Sequence, residues 1–208
     1  MRLVDQSGWK RKPVCDFFSS VDVPFYSMTA RVDAGKLLRR VKAEGGSAFL
    51  YTVYASMRAV NSVDAFLYKL RGDTVVRHEF LSPSFTVPAE DDLFKIVTLD
   101  WDGAESPAEF TKRARAAMEA QTELFPPAAE NRDDVAYLSC IPWVDFTAIT
   151  NEMPLNREDS IPRFGWGKLV RSGETASMAY GVEVNHRLID GRHIGLFYEA
   201  LQRALDGE

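Results

Sequence analysis

His186 lies in the part of the sequence that is best suited to chemistry. Alternating apolar residues in the segment 178–184 predict a strand with one apolar face, and the strand delivers His186 at its end. Asp190 and Gly191 follow and precede a helix, so the pattern is H-x-x-x-D-G on a strand, a turn and a helix. Partial desolvation there favours the neutral imidazole, so we expect a side chain that accepts a proton near pH 7.

The alternative for His186 is a purely structural role, because a lone histidine at a strand end is usually structural and Asp-Gly is common turn chemistry. The other two histidines have weaker settings. His78 stands in a charged run, Arg77-His78-Glu79, and we expect it to be exposed. His193 falls in the first turn of the predicted last helix, where packing or capping is its expected role.

Ser139 and Cys140 are neighbours on a predicted strand, so their side chains point to opposite faces and only one can share a pocket with His186. A serine in a strand is usually a tolerated small polar residue. Cys140 could be a thiol nucleophile, but nothing nearby in the sequence lowers its pKa, and buried cysteines are mostly inert.

Two cationic residues are candidates for ligand contacts. Arg11 belongs to the basic cluster Trp9-Lys10-Arg11-Lys12, and its alternative is an ordinary solvated arginine. Lys168 follows Gly165-Trp166-Gly167, where the missing side chains would let a ligand approach the backbone; the alternative is a bulge in a strand.

The bulk properties predict one domain over residues 1–208, with 46% apolar and 26% charged residues. A net charge of −5 gives no electrostatic reason to expect nucleic acid, and no apolar run is long enough for a membrane span. The N-terminus lacks a signal-peptide pattern, and two cysteines are too few for a disulfide framework, so we expect a cytoplasmic protein. No metal-ligand spacing, glycine-rich phosphate loop or dinucleotide fingerprint is present in the sequence.

Helices are predicted where capping signals precede apolar residues at helical spacing. Asp33 caps a first helix that stops at Gly45-Gly46, and Ser47 opens a second. Ser106 to Glu109 form a capping box for a helix to about Leu124, which Phe125-Pro126-Pro127 ends before a polar loop. The last helix begins near Arg192.

Strands make up most of the remainder. A hairpin turns at Gly72-Asp73, which explains the Arg71-Gly72-Asp73 triplet better than a cell-adhesion ligand does. The predicted strands are 66–70, 74–76, 84–87, 95–99, 135–140, 144–149, 162–170 and 176–186. We therefore predict an α+β domain built on a mixed, mostly antiparallel β-sheet flanked by helices.

Taken together, several segments resemble the chloramphenicol acetyltransferase family, and the resemblance runs almost from end to end. The H-x-x-x-D-G motif alone is shared with other acyltransferases, including dihydrolipoamide acyltransferase domains, whereas the combination is specific. The matching segments are Trp9-Lys10-Arg11, Pro83-Ser84-Phe85-Thr86, Leu124-Phe125-Pro126, Ser139-Cys140-Ile141-Pro142-Trp143, Gly167-Lys168 and His186 to Gly191.

This resemblance implies a two-layer sandwich, a homotrimer with active sites between subunits, and acetyl-CoA as co-substrate. It makes His186 the general base and Ser139 the donor to the tetrahedral oxyanion. It also makes Asp190 and Arg11 a structural pair that supports the site, and places Lys168 near the coenzyme phosphates.

The resemblance also suggests an acceptor pocket that includes Phe18 and Tyr26, with phenyl and phenol exchanged relative to the family. Two positions depart from the pattern. Asn185 stands where chloramphenicol enzymes commonly have a second histidine, and Gly165 stands where the family has a threonine that helps to bind a water.

The function that the resemblance implies is CoA-dependent O-acetylation of chloramphenicol or a similar small alcohol, as a resistance enzyme or a relative of one. Two alternatives remain. One is a dihydrolipoamide-type acyltransferase, and the other is a non-catalytic relative that binds coenzyme or ligand without turnover. We expect no metal, nucleic acid or membrane to take part in any of these three functions.

Overall fold

A central sheet organises the molecule, for which the computed structural model describes residues 1–126, 132–154, 156–173 and 175–208. Its strands lie in the order β2-β10-β8-β7-β5-β6, with β9 paired to β10. Two pairings, β5 with β7 and β7 with β8, are parallel, and the others are antiparallel. The strands of this sheet are β2 (Phe25–Asp33), β5 (Ser82–Pro88), β6 (Phe94–Thr98), β7 (Val135–Cys140), β8 (Arg163–Trp166), β9 (Val170–Ser172) and β10 (Thr175–Asn185).

A second, three-stranded sheet has the order β1-β4-β3, and its hairpin turns at Gly72-Asp73 as predicted. Gly72 has φ +57°, a left-handed conformation that glycine adopts without a Cβ penalty. The strands are β1 (Arg2–Leu3), β3 (Tyr68–Arg71) and β4 (Thr74–Arg77), and the 3₁₀ helix Asp64–Leu67 precedes β3 where the sequence predicts strand.

Helices cover one face of the central sheet and bury its apolar residues. The rings of Phe66, Phe164, Tyr180 and Phe197 meet there with centroids 5.0 to 6.3 Å apart, which suits aromatic packing. The Tyr180 hydroxyl is paired with the Ser56 Oγ at 2.6 Å, so this buried polar group is satisfied. The described helices are α1 (Lys12–Ser19), α2 (Gly35–Glu44), α3 (Ala48–Ser62), α4 (Pro107–Ala120) and α5 (Gly191–Asp206).

The capping signals locate the helix starts to within a residue or two. Ser47 caps α3, and Ser106 forms the expected capping box with Glu109 at the start of α4. For α2 the cap is Ala34, while the carboxylate of Asp33 accepts the Gly35 N–H at 2.7 Å. Helix α4 ends at Ala120 rather than near Leu124. The polar loop predicted after Pro127 lies outside the described residues.

Two strand predictions are wrong. Residues 144–149 form no strand; they cross the face of the central sheet that the helices leave uncovered, where Ile149 packs on glycines. The predicted strand 162–170 is two strands, β8 and β9, because the chain leaves the ladder at Gly167 and Lys168. The backbone N–H of Lys168 bonds instead to the carbonyl of Val144 at 2.9 Å.

Helix α1 and strand β2 are further differences, since the sequence pattern predicted neither. β2 is an edge strand with one partner, β10, and most of its residues are half-buried or exposed, which weakens the alternation signal. Helix α1 has eight residues, too few for a clear period. Both elements lie beside the end of β10, so they matter for the site. In the described part of the chain, no helix has the length and apolar character needed to cross a bilayer.

Candidate functional site

His186 follows directly on β10, and its ring lies among aromatic side chains. The imidazole stacks on the Phe18 ring of α1 with centroids 3.9 Å apart and an angle of 13°, and Tyr26 of β2 lies 4.6 Å away. The His186 Nδ1 is buried and has no hydrogen-bond partner among the described residues. The ring is therefore held by packing against Phe18 and Tyr26.

Arg11 holds the backbone at this histidine and at the residue after it. Its NH2 donates to the carbonyl of His186 at 2.9 Å, and its Nε donates to the carbonyl of Arg187 at 3.2 Å. The NH1 group reaches the carboxylate of Asp190 at 2.5 Å. One largely buried guanidinium, on a side chain that is 13% exposed, thus joins His186 and Asp190 of the H-x-x-x-D-G motif.

Asp190 also begins helix α5. Its carboxylate accepts the backbone N–H of Arg192 at 3.0 Å, and His193 completes a capping box by accepting the Asp190 N–H on Nδ1. Burial would raise the pKa of the Asp190 carboxyl, but the Arg11 hydrogen bond and the nearby positive charges outweigh burial and lower it. His193 is a capping residue here, as the sequence predicts.

Tyr26 contributes a buried hydroxyl beside the imidazole. Burial and the charge of Asp190 raise the pKa of this phenol to about 12, despite the opposing effect of Arg11. The hydroxyl is therefore protonated at physiological pH, and it has no partner among the described residues. Phe18 and Tyr26 thus lie against the imidazole itself.

Ser139 lies near the end of β7, on the face of the sheet away from the helices. Its Oγ is 3.1 Å from the Thr86 Oγ1 on the neighbouring strand β5. The parallel register of β5 and β7, which pairs Phe85 with Leu138, brings the two hydroxyls together. Sequence reasoning noted the segment that contains Thr86 but gave the residue no role.

A cavity of about 460 Å³ opens at Ser139. Aromatic rings of Phe94 and Phe125 meet edge to face at one side, with centroids 5.5 Å apart. His186 is not among the residues that line the cavity. The lining residues are Ser84, Phe85, Thr86, Phe94, Ile96, Phe125, Tyr137, Leu138, Ser139, Asn151, Glu152, Arg163 and Phe164.

The sheet register separates Ser139 from His186 within one chain. Ser139 pairs with Gly165, and Gly165 pairs with Gly181, so two strand spacings separate β7 from β10. His186 lies five residues beyond Gly181 along β10. At about 3.3 Å per residue and 4.8 Å per strand, their Cα atoms are about 19 Å apart. A single chain therefore does not bring these two side chains to one reacting atom.

The two departures from the family pattern have structural explanations. Asn185 is buried at the end of β10. Its amide donates to the carbonyls of Arg157 at 3.0 Å and Asp159 at 2.9 Å, so it binds the loop that contains these two residues to the strand. Gly165 leaves room for Ile149: a Cβ there would lie 3.1 Å from the Ile149 Cδ1, and one on Gly181 only 2.3 Å from Cγ2. The Ile149 side chain therefore occupies the space above both glycines.

Lys168 and Cys140 differ in their suitability for chemistry. Lys168 is exposed between β8 and β9, but the gap above the preceding Gly167 is filled by the Val144 carbonyl and the Phe146 ring, so it is no opening for a ligand. Cys140 packs toward the core, and burial raises the pKa of its thiol to about 12. This thiol is protonated at neutral pH and is a poor nucleophile.

The expectation that His78 is exposed is wrong. Its side chain is buried, because its backbone N–H bonds to the Leu67 carbonyl and draws the end of β4 inward. The Nε2 lies 3.0 Å from the carboxylate of Asp133, which also pairs with Arg71 at 2.7 Å. No group of metal-binding side chains occurs within the described ranges of the chain.

Known proteins resemble this chain in both sequence and fold. A curated chloramphenicol acetyltransferase of Staphylococcus aureus is 27% identical, over 98% of this chain and 94% of the relative. A solved chloramphenicol acetyltransferase structure superposes with a TM-score of 0.89 at 27% identity, over 98% of this chain and 99% of the other. A probable dihydrolipoamide acetyltransferase of Listeria monocytogenes, at 16% identity and a TM-score of 0.67 over 94% of this chain and 89% of its own, shares the fold.

A sequence model of the family described as chloramphenicol acetyltransferase matches residues 1–202, almost the whole chain. Its members are acyltransferases, and the α+β fold with its mixed, mostly antiparallel sheet is the fold of the solved relative. The chain belongs to the chloramphenicol acetyltransferase family.

Proposed function

We propose that this enzyme transfers the acetyl group of acetyl-CoA directly to the hydroxyl of a small acceptor, with chloramphenicol as the first acceptor to test. The observation that carries the proposal is the fixed position of His186, which Phe18 and Tyr26 hold by packing and Arg11 holds through the backbone. A base held in this way needs little reorganisation when substrate arrives.

In the proposed reaction, Nε2 of His186 takes the proton of the acceptor hydroxyl while the oxygen attacks the thioester carbon. Nδ1 carries the other proton, and its burial leaves Nε2 as the accessible acceptor. The tetrahedral intermediate then expels the coenzyme thiolate, which recovers the proton from the imidazolium. General base catalysis of this kind contributes about 10²–10⁴-fold.

Ser139 is the proposed hydrogen-bond donor to the oxygen that becomes negative in the intermediate. The adjacent Thr86 supports this role, because Thr86 can donate to the Ser139 Oγ and so leave the serine proton free for the oxyanion. Removing one such donor costs about 10²–10³ in turnover. Lys168 is exposed and cationic, which suits the proposed contact with the coenzyme phosphates.

The proposed site lies between two subunits of a homotrimer, with His186 from one and Ser139 from the other. The separation of about 19 Å within one chain supports this arrangement. Exposed apolar side chains beside each residue also support it, since such patches favour protein contacts. They are Val14, Phe17, Val21 and Val23 near His186, and Phe94, Phe125, Trp143 and Val144 near Ser139.

The proposed location of the enzyme is the cytoplasm. Its use of acetyl-CoA and its two unpaired cysteines are in keeping with this location.

The test is release of free coenzyme A from acetyl-CoA with a panel of acceptors, comparing the wild type with His186→Ala. The panel contains chloramphenicol, simple alcohols and reduced lipoamide. We expect a hydroxyl acceptor to be turned over and the substitution to lower kcat/KM at least 10²-fold. Undiminished activity in His186→Ala would reject the general base, and turnover of reduced lipoamide alone would favour a thiol acceptor.

A further inference from the structure

The cavity beside Ser139 has one buried cationic side chain, Arg163. Among the described lining residues, Arg163 is the one cation and Glu152 is the one anion. Glu152 is exposed to solvent, whereas Arg163 is only 7% exposed. The cavity therefore has aromatic walls and a buried guanidinium, and neither the reaction chemistry nor the family resemblance gives this arginine a role.

The register fixes how far this guanidinium is from the proposed oxyanion site. Tyr137 pairs with Arg163 and Ser139 with Gly165, so Arg163 is two residues before Gly165 on β8 and shares its face. The Cα atoms of Arg163 and Ser139 are accordingly about 8 Å apart. A molecule with its hydroxyl at Ser139 can place a second group at Arg163 across a single aromatic ring.

Arg163 is rigidly held and has donors to spare. Its NH2 donates to Asp159 at 2.6 Å and its NH1 to the Ile161 carbonyl at 3.1 Å, while Cζ lies 5.5 Å from the Tyr137 ring centroid. A guanidinium has five N–H groups, and the contacts of Arg163 within the described residues use two of them. Such a fork is suited to the paired oxygens of a carboxylate.

The support of Arg163 extends to the residue next to the catalytic histidine. The amide of Asn185 donates to the Asp159 carbonyl, and the Asp159 carboxylate in turn holds the guanidinium. The neighbouring acid on β10, Glu183, accepts two hydrogen bonds from Asn151 at 2.7 and 2.9 Å. Asp159 and Asn185 thus position the arginine, while Glu183 is occupied by its own partner, Asn151.

We propose that Arg163 selects the acceptor, and that the preferred acceptor is a hydroxyl compound with a carboxylate at the opposite end of an aromatic or similarly sized body. This inference rests on the proposed acetyl transfer for its kinetic readout, but it makes a separate claim about binding. In this arrangement the hydroxyl lies at Ser139, the ring lies by Phe94 and Phe125, and the carboxylate receives two N–H bonds from Arg163.

Three matched probes test the proposal: 4-(hydroxymethyl)benzoate, its methyl ester, and benzyl alcohol. We expect the wild type to acetylate the benzoate with a kcat/KM about 10- to 100-fold above that of the ester, as the loss of a charge-assisted hydrogen bond predicts. Arg163→Met removes this preference, lowering kcat/KM for the benzoate and leaving the ester and benzyl alcohol nearly unchanged. Arg163→Lys keeps the positive charge but loses the paired N–H groups, so its preference for the benzoate is expected to lie between those of the wild type and Arg163→Met.

Two further variants make the result interpretable. Arg163→Met leaves Asp159 buried and unpaired, so the double variant Arg163→Met/Asp159→Asn is measured beside it to preserve folding. Arg115→Met, an exposed arginine on α4 that does not line the cavity, is the matched control and keeps the preference. Equal loss for all three probes in both Arg163 variants would assign the arginine a structural role and overturn the proposal.

Calorimetric binding of the benzoate and the ester separates this inference from the proposed function. Selective binding of the benzoate that disappears in Arg163→Met upholds the role of Arg163 even if no probe is acetylated, in which case the acetyl-transfer proposal fails. Acetylation of all probes without preference for the carboxylate, together with equal binding, keeps the proposed function and contradicts the role of Arg163.

Discussion

At the scale of single residues, the pair formed by Ser139 and Thr86 is a direct test of oxyanion stabilisation. Ser139→Ala removes the proposed donor and is expected to lower kcat about 10²–10³-fold with little change in KM. Steady-state kinetics with a saturating acceptor measure the effect. A fall in kcat below threefold would contradict the assignment of Ser139.

Thr86 is expected to have a smaller effect, because it acts through the serine. Thr86→Val removes the hydroxyl that lies 3.1 Å from Ser139, and we expect kcat to fall about 2- to 10-fold. Thr86→Ser keeps a hydroxyl and is the matched control. Equal losses in both variants would show that side-chain volume, rather than the hydrogen bond, is what matters at this position.

At the scale of elements, the turn between β10 and α5 depends on the Arg11–Asp190 ion pair. Asp190→Asn keeps the size of the side chain but removes its charge. The Asp190 side chain is 36% exposed, so we expect a loss between those of exposed and buried pairs, about 2 kcal/mol, measured as a lower Tm. Activity falls as well, since Arg11 then holds the His186 carbonyl less firmly.

The pH dependence of this difference provides a separate check. The pKa of Asp190 is lowered in the folded protein, so its charge stabilises the fold above the carboxyl pKa of the unfolded chain. That stabilisation is lost as the pH falls through the lowered pKa of the folded state. The Tm difference between the wild type and Asp190→Asn is therefore expected to be full at pH 7 and to shrink below about pH 4. A constant difference across this range would contradict the ion pair.

The glycines under Ile149 make a prediction about packing. Gly181→Ala places a Cβ only 2.3 Å from the Ile149 Cγ2, and overpacking of this kind costs about 1–3 kcal/mol. Gly195→Ala, in helix α5 with no atom within 4 Å of the new Cβ, is the control and is expected to stabilise by up to about 1 kcal/mol. Chemical denaturation measures both, and a stable Gly181→Ala would disprove the close packing.

The elements that sequence patterns predicted are those with strong local signals. Capping residues such as Ser47 and Ser106, the glycine turn at Gly72 and the alternating strand β10 all carry their own signal. The missed elements are stabilised by distant partners. β2 is stabilised by its pairing with β10. The segment 144–149 packs on the sheet because Gly165 and Gly181 leave room for the Ile149 side chain, and these residues are far apart in the sequence.

The site could be predicted in part for the same reason. His186, Asp190 and His193 lie within one strand, turn and helix, and the local pattern indicates them. Thr86 and Arg163 lie near Ser139 only because of the strand register, which local patterns in a single sequence do not reveal. The depth of His78 likewise depends on the Leu67 carbonyl and on Asp133, which lie outside the charged run that suggested exposure.

At the scale of the whole molecule, one subunit completes the proposed site of the next. A chain of 23.4 kDa is expected to form a trimer of about three times this mass in solution, which sedimentation measures. Substituting the exposed Phe17 beside His186 with Asp is expected to weaken this association and lower activity together. An active monomer would contradict a shared site.

Mixing two inactive variants, His186→Ala and Ser139→Ala, tests whether neighbouring subunits share one site. Each forms sites that all lack one group, but a ring that contains both variants has one interface with an intact histidine facing an intact serine. Co-expression with two affinity tags isolates such mixed trimers, and we expect them to have about one third of the wild-type turnover per trimer. Mixed trimers as inactive as the parent variants would contradict this expectation.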